Sequence, residues 1–324
     1  MASDVRTVLI TGGCGYLGSR LIRDLAADPR FETRVRILDN LQNEGYRALM
    51  DLPERGRFEF IEGDVLDRAT LKLALRGVDA VAHLAAVVRT PMSFDQPRWV
   101  QQVNHWGTVA LAESCLEQGV RRFVYAGSAA VYGPGGPFTE ADPCRPQGAY
   151  AQSKRQAEEA LASAAERGLR PTCLRLATLF GHAPVMRFDA VANRFAYLAG
   201  TRRKITVFGK GKQRRSFVHV QDASAAIRLS LAHGDLTEGR TLNVVGESCS
   251  ILELAEDVLL VQPETSVHFT EQDIRTHLNL EVEGEALREL GWRPRHSLRE
   301  GLREVIDGFA GVHRPDISLH TYEE

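Results

Sequence analysis

The chain has 324 residues, with 40 Lys and Arg against 42 Asp and Glu and a formal net charge of −2, so nothing draws the whole molecule to nucleic acid or an acidic membrane, and an anionic ligand needs a local site. Its 44% hydrophobic and 25% charged residues are those of a globular protein, long enough for one large α/β domain or two that share a cleft. The five cysteines are scattered, with no CxxC pair or Cys/His cluster, which argues against a disulfide framework or a metal site and for a reduced, cytoplasmic protein.

In chain order, TVLITGG (7–13) is rich in β-branched residues and closes on glycine, so it reads as a buried strand. Its apolar run is too short for the core of a signal peptide. Nowhere does the chain approach the roughly 18 apolar residues that span a bilayer. Tyr16 to Asp28 carries Leu17, Leu21, Ile22, Leu25 and Ala26 at helical spacing, and Pro29 stops it. The alternation repeats, with strands over 35–39, 58–64, 80–86, 122–128 and 169–176. Helices are predicted over 69–75, 104–117 and 150–166. Parallel strands need long crossovers, so this rhythm predicts a Rossmann-type, doubly wound α/β sheet covered on both faces.

Beyond Leu176 the rhythm breaks into a loop-rich segment (177–193), helix, a basic loop and more helix. No low-complexity linker intervenes. The expected division is a dinucleotide-binding domain over 1–176 and a smaller α/β region over 177–324. The second should pack on the first, with some strands returning to it, and the cleft should lie at the carboxyl ends of the strands.

Three glycines spaced three apart, Gly12, Gly15 and Gly18, join the first strand to the first helix. A dinucleotide needs there a tight turn, a position without Cβ beside the pyrophosphate, and a small residue for helix packing. The helix N-terminus would face the phosphates. Tyr16 and Leu17 lie within the same loop. The second strand ends in Asp39-Asn40, where a carboxylate accepts from both ribose hydroxyls and repels a 2′-phosphate, favouring NAD over NADP. Asp64 and Val65 end the third strand, placed to bond the adenine amino group and cover its ring.

Tyr150 and Lys154 stand four apart at the start of a helix, on one face and about 5–6 Å from each other. A free tyrosine, with a pKa of about 10, is a poor base; a neighbouring ammonium, with the positive ring of oxidised nicotinamide, is expected to favour its phenolate. Ser128, closing the strand RFVYAGS, would offer its hydroxyl to the reacting oxygen. Together they describe a general base for alcohol oxidation and a general acid for ketone reduction.

At this point the chain resembles the extended short-chain dehydrogenase/reductases, and within them the NAD-dependent nucleotide-sugar epimerase/dehydratase family. TGGCGYLGS resembles the family's glycine loop, LDN its NAD selector and GDV its adenine contact. HLAA (83–86), with Leu84, Ala85 and Ala86, resembles the strand beneath the cofactor, and Asn104-His-Trp-Gly-Thr108 the helix start whose Asn helps position the active site. GSAAVYG and YAQSK are similar to the catalytic segments. ITVFGKGKQRRSFVHVQDAS and LGWRP resemble the nucleotide-gripping segment and a C-terminal element. The resemblance implies that Lys154 holds the nicotinamide ribose and that Arg215 holds the pyrophosphate of a nucleoside-diphosphate sugar. It also implies that Phe208 lies on the base and that Asn193 donates to a phosphate or sugar oxygen; the Asp that often grips the distal ribose in the family has no clear counterpart here, and Arg275 near that place is the candidate substrate contact. Ser128, Ala129 and Tyr150 would face the sugar. His219 reads as structural. The family's pairing through two helices implies a homodimer, with Leu111, Cys115, Leu116, Ala157, Ala160, Leu161 and Ala164 as candidate contacts.

Departures narrow the reaction. Ala129 and Ala130 stand where the family's dehydratases carry an acidic pair, so elimination lacks its proton carriers, and hydride removal and return are left. Thr178 replaces an asparagine common among the epimerases. The expectation is a 4-epimerase acting on a UDP-hexose through reversible C4 hydride transfer to NAD. A 4-ketoreductase is the alternative, and a non-catalytic NAD-binding protein a third reading that Ser128, Tyr150 and Lys154 together argue against.

Overall fold

The computed structural model describes residues 5–29, 33–88, 96–271 and 279–312. β1 (Thr7–Thr11) is buried at every position, as a central strand covered on both faces must be. It feeds α1 (Tyr16–Ala27), whose apolar stripe Leu21, Ile22 and Leu25 faces the sheet. Next come β2 (Arg34–Asp39), β3 (Arg57–Glu62), α2 (Arg68–Ala74), β4 (Ala80–His83), α3 (Gly107–Gln118), β5 (Arg122–Ser128), β6 (Gly135–Phe138), α4 (Gly148–Ala165), β7 (Arg170–Leu176), β8 (Thr178–Phe180) and α5 (Val191–Arg202). The chain continues through β9 (Lys204–Phe208), β10 (Arg214–His219), α6 (Val220–Ala232), β11 (Thr241–Val244), β12 (Glu247–Ser250), α7 (Ile251–Val261), β13 (Ser266–Thr270), β14 (Leu280–Val282) and α8 (Leu298–Asp307).

Seven strands form one parallel sheet in the order β11-β7-β5-β4-β1-β2-β3. The order reverses at β1, so a crevice opens beyond the carboxyl ends of β1 and β4, where doubly wound sheets bind ligands. On one face α1 and α6 bury Ile10, Ile22, Ile37, Val124 and Ile227. On the other, α2, α3 and α4 bury Leu9, Leu71, Leu111, Phe123 and Leu161. Each fully buried aliphatic side chain contributes roughly 1.5–3 kcal/mol. A third core, with Phe195, Ile205, Phe217, Leu254 and Leu302, supports the smaller region.

Several expectations need correcting. Besides β11, a strand of the second region that lies in the large sheet, the division at 176/177 is crossed the other way by β6, which lies in the second sheet, β12-β10-β14-β6 with β8 on β10. β4 ends at His83 rather than at 86, because Gly12 packs against the Ala85 backbone and the chain must turn aside. The helix expected over 104–117 is a π-helical turn (Gln102–Trp106) leading into α3. Of the candidate dimer contacts, Leu111, Cys115, Ala157, Leu161 and Ala164 are buried in this chain's own core, so they offer no free face. Among the described residues no helix is long and apolar enough to cross a membrane.

Gly18 tests how tightly the first turn is packed. An added Cβ would lie 2.4 Å from the Gly12 carbonyl oxygen and 2.6 Å from Gly13 Cα, both backbone atoms that cannot yield cheaply. Helix propensity alone favours Ala over Gly by about 1 kcal/mol. We expect the clash to win: Gly18→Ala should lose about 2 kcal/mol of stability, read as a lower urea midpoint with an unchanged slope.

Candidate active site

A cavity of about 1500 Å³ opens at the carboxyl ends of β1, β2, β4, β5 and β7 and runs to β9 and β10. Single-ligand pockets span roughly 300–1,000 Å³, so this one has room for two extended ligands. At one end the chain turns at Gly12, whose φ is +70° and whose missing Cβ would lie 2.6 Å from Ala85 N. Gly15 ends this turn, its amide donating to the Gly12 carbonyl at 3.1 Å. No side chain caps α1 and no acidic residue lies in its first turn, which suits an anion.

Asp39 lines the cavity; its carboxylate accepts from Cys14 N and Leu41 N, both at 2.9 Å. Burial raises its pKa, and those two amide bonds oppose the rise. Asn40 Nδ2 donates to Asp64 Oδ2 at 2.9 Å, tying the ends of β2 and β3 together. Val65 packs on Gly107, where a Cβ would meet its Cγ2 at 2.9 Å. Leu17, Leu84, Ala85 and Ala86 also line the wall. The residues therefore fit a dinucleotide: glycines where a Cβ would collide, amides at an uncapped helix start, a carboxylate at the ribose position and small side chains beneath.

Ser128, Tyr150 and Lys154 converge in the middle of the cavity. Ser128 caps the 3₁₀ turn Ala129–Tyr132, its Oγ accepting from Ala130 N at 3.2 Å. Lys154 is 3% exposed. Its Nζ donates to Ala126 O at 2.7 Å and lies 4.8 Å from the centre of the Tyr125 ring. Burial lowers the pKa of Lys154 to about 7, with Glu158 pulling the other way. Burial raises the pKa of Tyr150, and the groups that pull it down are Ser128 and Arg187. Behind them, His83 lies between Thr11 Oγ1 (2.6 Å) and Thr108 Oγ1 (2.9 Å), with a pKa pushed by burial to about 3. It is a neutral strut.

Asn193 is 1% exposed and its polar atoms serve the fold: Oδ1 accepts from Gly181 N (3.0 Å), and Nδ2 donates to Arg187 O (3.0 Å) and Tyr16 Oη (3.1 Å). Tyr16 Oη in turn donates to Gly181 O at 2.5 Å. The pair thus knits the 181–187 loop to the first helix, and the polar atoms of Asn193 expected on a ligand are engaged within the protein. Asn104 grips the Val87 backbone at 2.7 and 3.0 Å and Ser153 Oγ at 3.1 Å, and so shapes the wall from behind. Arg275 lies outside the described residues. His219 hydrogen-bonds Glu304 at 3.1 Å and stacks on His296, a structural arrangement.

Phe208 and Arg215 line the far end of the cavity. Arg187 was missed by sequence reasoning. It lines the cavity near Tyr150, forked onto Asp189 at 3.0 Å and donating to Val88 O at 3.3 Å. Its R-x-D spacing in a loop was the available signal.

The sequence profile of the NAD-dependent epimerase/dehydratase family matches residues 8–245, and the chain belongs to that family. NAD is accordingly its cofactor. A dTDP-D-glucose 4,6-dehydratase of Mus musculus is 28% identical, over 95% of this chain and 89% of that protein. The structure of epimerase Mth375 from Methanothermobacter thermautotrophicus superposes with a TM-score of 0.84 at 27% identity, covering 95% of this chain and 93% of that one. UDP-glucose 4-epimerase of Thermus thermophilus, solved with NAD, gives 0.81 at 28%, covering 94% and 99%.

If Asn193 is a strut, Asn193→Ala leaves the Gly181 amide without its acceptor and takes a donor from Tyr16 and Arg187 O. Each orphaned buried group costs about 1–3 kcal/mol. The expected result is a stability loss of about 2–4 kcal/mol in the protein without ligand, measured by urea unfolding. A ligand-contact role would instead leave that stability intact and weaken only ligand affinity.

Proposed function

We propose that this chain is a nucleotide-sugar 4-epimerase that acts on a UDP-linked hexose, with Tyr150 as its acid/base. The observation that carries the reading is the meeting of Ser128, Tyr150 and a buried Lys154 midway along a cavity long enough for two ligands. Bound NAD supplies the hydride acceptor and, on the return, the donor. Gly12, Gly15, Gly18, Tyr16, Leu17 and the strand ends at Asp39 and Asp64 would hold it, with Leu84, Ala85 and Ala86 beneath. Lys154 would reach its nicotinamide ribose.

Tyr150 takes the proton of the sugar C4 hydroxyl and later gives it back, while Ser128 hydrogen-bonds the same oxygen. Burial works against the phenolate, so Tyr150 depends on the positive charges around it, Arg187 among them. Phe208 and Arg215 hold the nucleoside diphosphate at the far end, keeping the ketone captive while the sugar turns. Ala129 and Ala130 follow Ser128 directly, and Ala177 and Thr178 line the same cavity beyond β7. None of the four carries a carboxylate with which to expel water. That distinguishes this reading from elimination, the reaction in the name of the mouse relative.

With UDP-glucose and a trace of NAD, the purified protein should form UDP-galactose to equilibrium without net NADH change. Tyr150→Phe should lower kcat at least about 10²-fold, the usual contribution of a positioned acid/base, and still bind NAD. A 4-keto-6-deoxy product, or NADH consumed mole for mole, would refute the epimerase.

A further inference from the structure

One charged pair lies directly under the proposed site without belonging to it. Glu158 stands one helical turn beyond Lys154 on α4, and its side chain is 4% exposed. Arg175 of β7, 5% exposed, grips it with a fork, Nε to Oε1 at 3.0 Å and Nη2 to Oε2 at 2.8 Å. Arg155 adds a third contact at 3.2 Å. The carboxylate lies against β5, where a Cβ on Gly127 would meet Glu158 Oε1 at 3.3 Å. The neighbouring residue on that strand, Ala126, accepts the Lys154 hydrogen bond. On its far side Arg175 stacks over the Tyr132 ring, 4.7 Å from its centre, and Tyr132 Oη donates to Asn243 Oδ1 at 2.9 Å. The fork is therefore fixed from both sides.

Among the described residues, the titratable and charged groups around Lys154 and Glu158 come from four strands and helices and from two connecting segments. β4 supplies His83, β5 Tyr125, β7 Cys173 and Arg175, and α4 itself Tyr150, Arg155 and Glu158, while Tyr132 of the 3₁₀ turn and Cys144 of the loop before α4 complete the set. At neutral pH burial keeps His83 uncharged at about 3, and it holds the Tyr125 phenol and the Cys173 thiol protonated, the latter at about 12. Glu158 is the carboxylate of that set, and the bidentate guanidinium of Arg175 fixes its place.

We propose that Glu158, gripped by Arg175 and Arg155, is a positioning residue that keeps the Lys154 ammonium charged beside Tyr150. The consequence for turnover rests on the epimerase reading, but the titration of Lys154 does not. Removing a nearby negative charge lowers a lysine's pKa, so the variants should lose the ammonium at lower pH.

The chain has five lysines, Lys72, Lys154, Lys204, Lys210 and Lys212, and Lys154 is the buried one. Labelling with lysine that carries ¹³C at Cε therefore gives a signal that can be followed by NMR across pH in the whole protein. In the unaltered protein it should titrate at about 7. Glu158→Gln should move the midpoint down by about one unit, a tenfold change in proton affinity. Because that change leaves Arg175 buried without a counter-charge and can unfold the protein, Glu158→Gln/Arg175→Met is the second arm. Replacing a buried ion pair by uncharged groups of similar volume is usually tolerated.

The double variant should melt cooperatively, bind NAD, and keep the lowered midpoint. The alkaline fall of kcat should move down with it, and Glu158→Asp should restore both. A midpoint at its original value in the folded double variant overturns the proposal, since a purely structural pair would leave Lys154 unmoved. Absence of turnover in the unaltered protein on every UDP-sugar, with the midpoint shifted as described, would sink the epimerase reading and leave this one standing.

Discussion

An ammonium group that is 3% exposed is costly to keep charged, and the chemistry proposed here needs it charged. Lys154 has one carbonyl, Ala126 O, to receive a proton's hydrogen bond, one aromatic face, and a carboxylate a turn away. Burial has brought its pKa down to about 7. A lysine brought that far down lies close to neutrality, where small changes nearby weigh on its state. The phenol of Tyr150 lies on the same dry floor and is pushed the other way, toward its neutral form. Desolvation disfavours both charges, and the pair becomes useful only when other positive charge arrives in the cavity.

A second constraint is how little space the backbone leaves around that floor. Gly12 and Gly18 allow the first loop to close against Ala85 and against itself, and that closeness ends β4 at His83. The 181–187 loop is held just as firmly by Asn193 and Tyr16. Arg187 is thereby delivered into the cavity from a segment with little regular structure of its own. The two halves are sewn together by exchanged strands, so the cleft between them has fixed walls.

Much of this was legible in the sequence. The alternation of strands and helices, the three glycines, Asp39 and the Ser128, Tyr150 and Lys154 constellation sit where residue type and spacing put them, because each depends on contacts within a strand-turn-helix unit. What could not be read depends on long-range packing. Asn193 looks like a ligand donor when only its chemistry is considered; its partners, Tyr16, Gly181 and Arg187, are brought to it by the fold. Helical spacing puts a lysine near Tyr150, but it does not reveal the burial that works against the phenolate. The Glu158–Arg175 fork joins a helix to a strand 17 residues away, and no motif announces it.

The central claim is that hydride leaves and returns at one carbon held under Tyr150. UDP-glucose carrying deuterium at C4, incubated with the protein and a trace of NAD, reports on that directly. The account predicts UDP-galactose with the label still at C4. Deuterium found at C6 of a dehydrated sugar, or lost to solvent from C4, would contradict it.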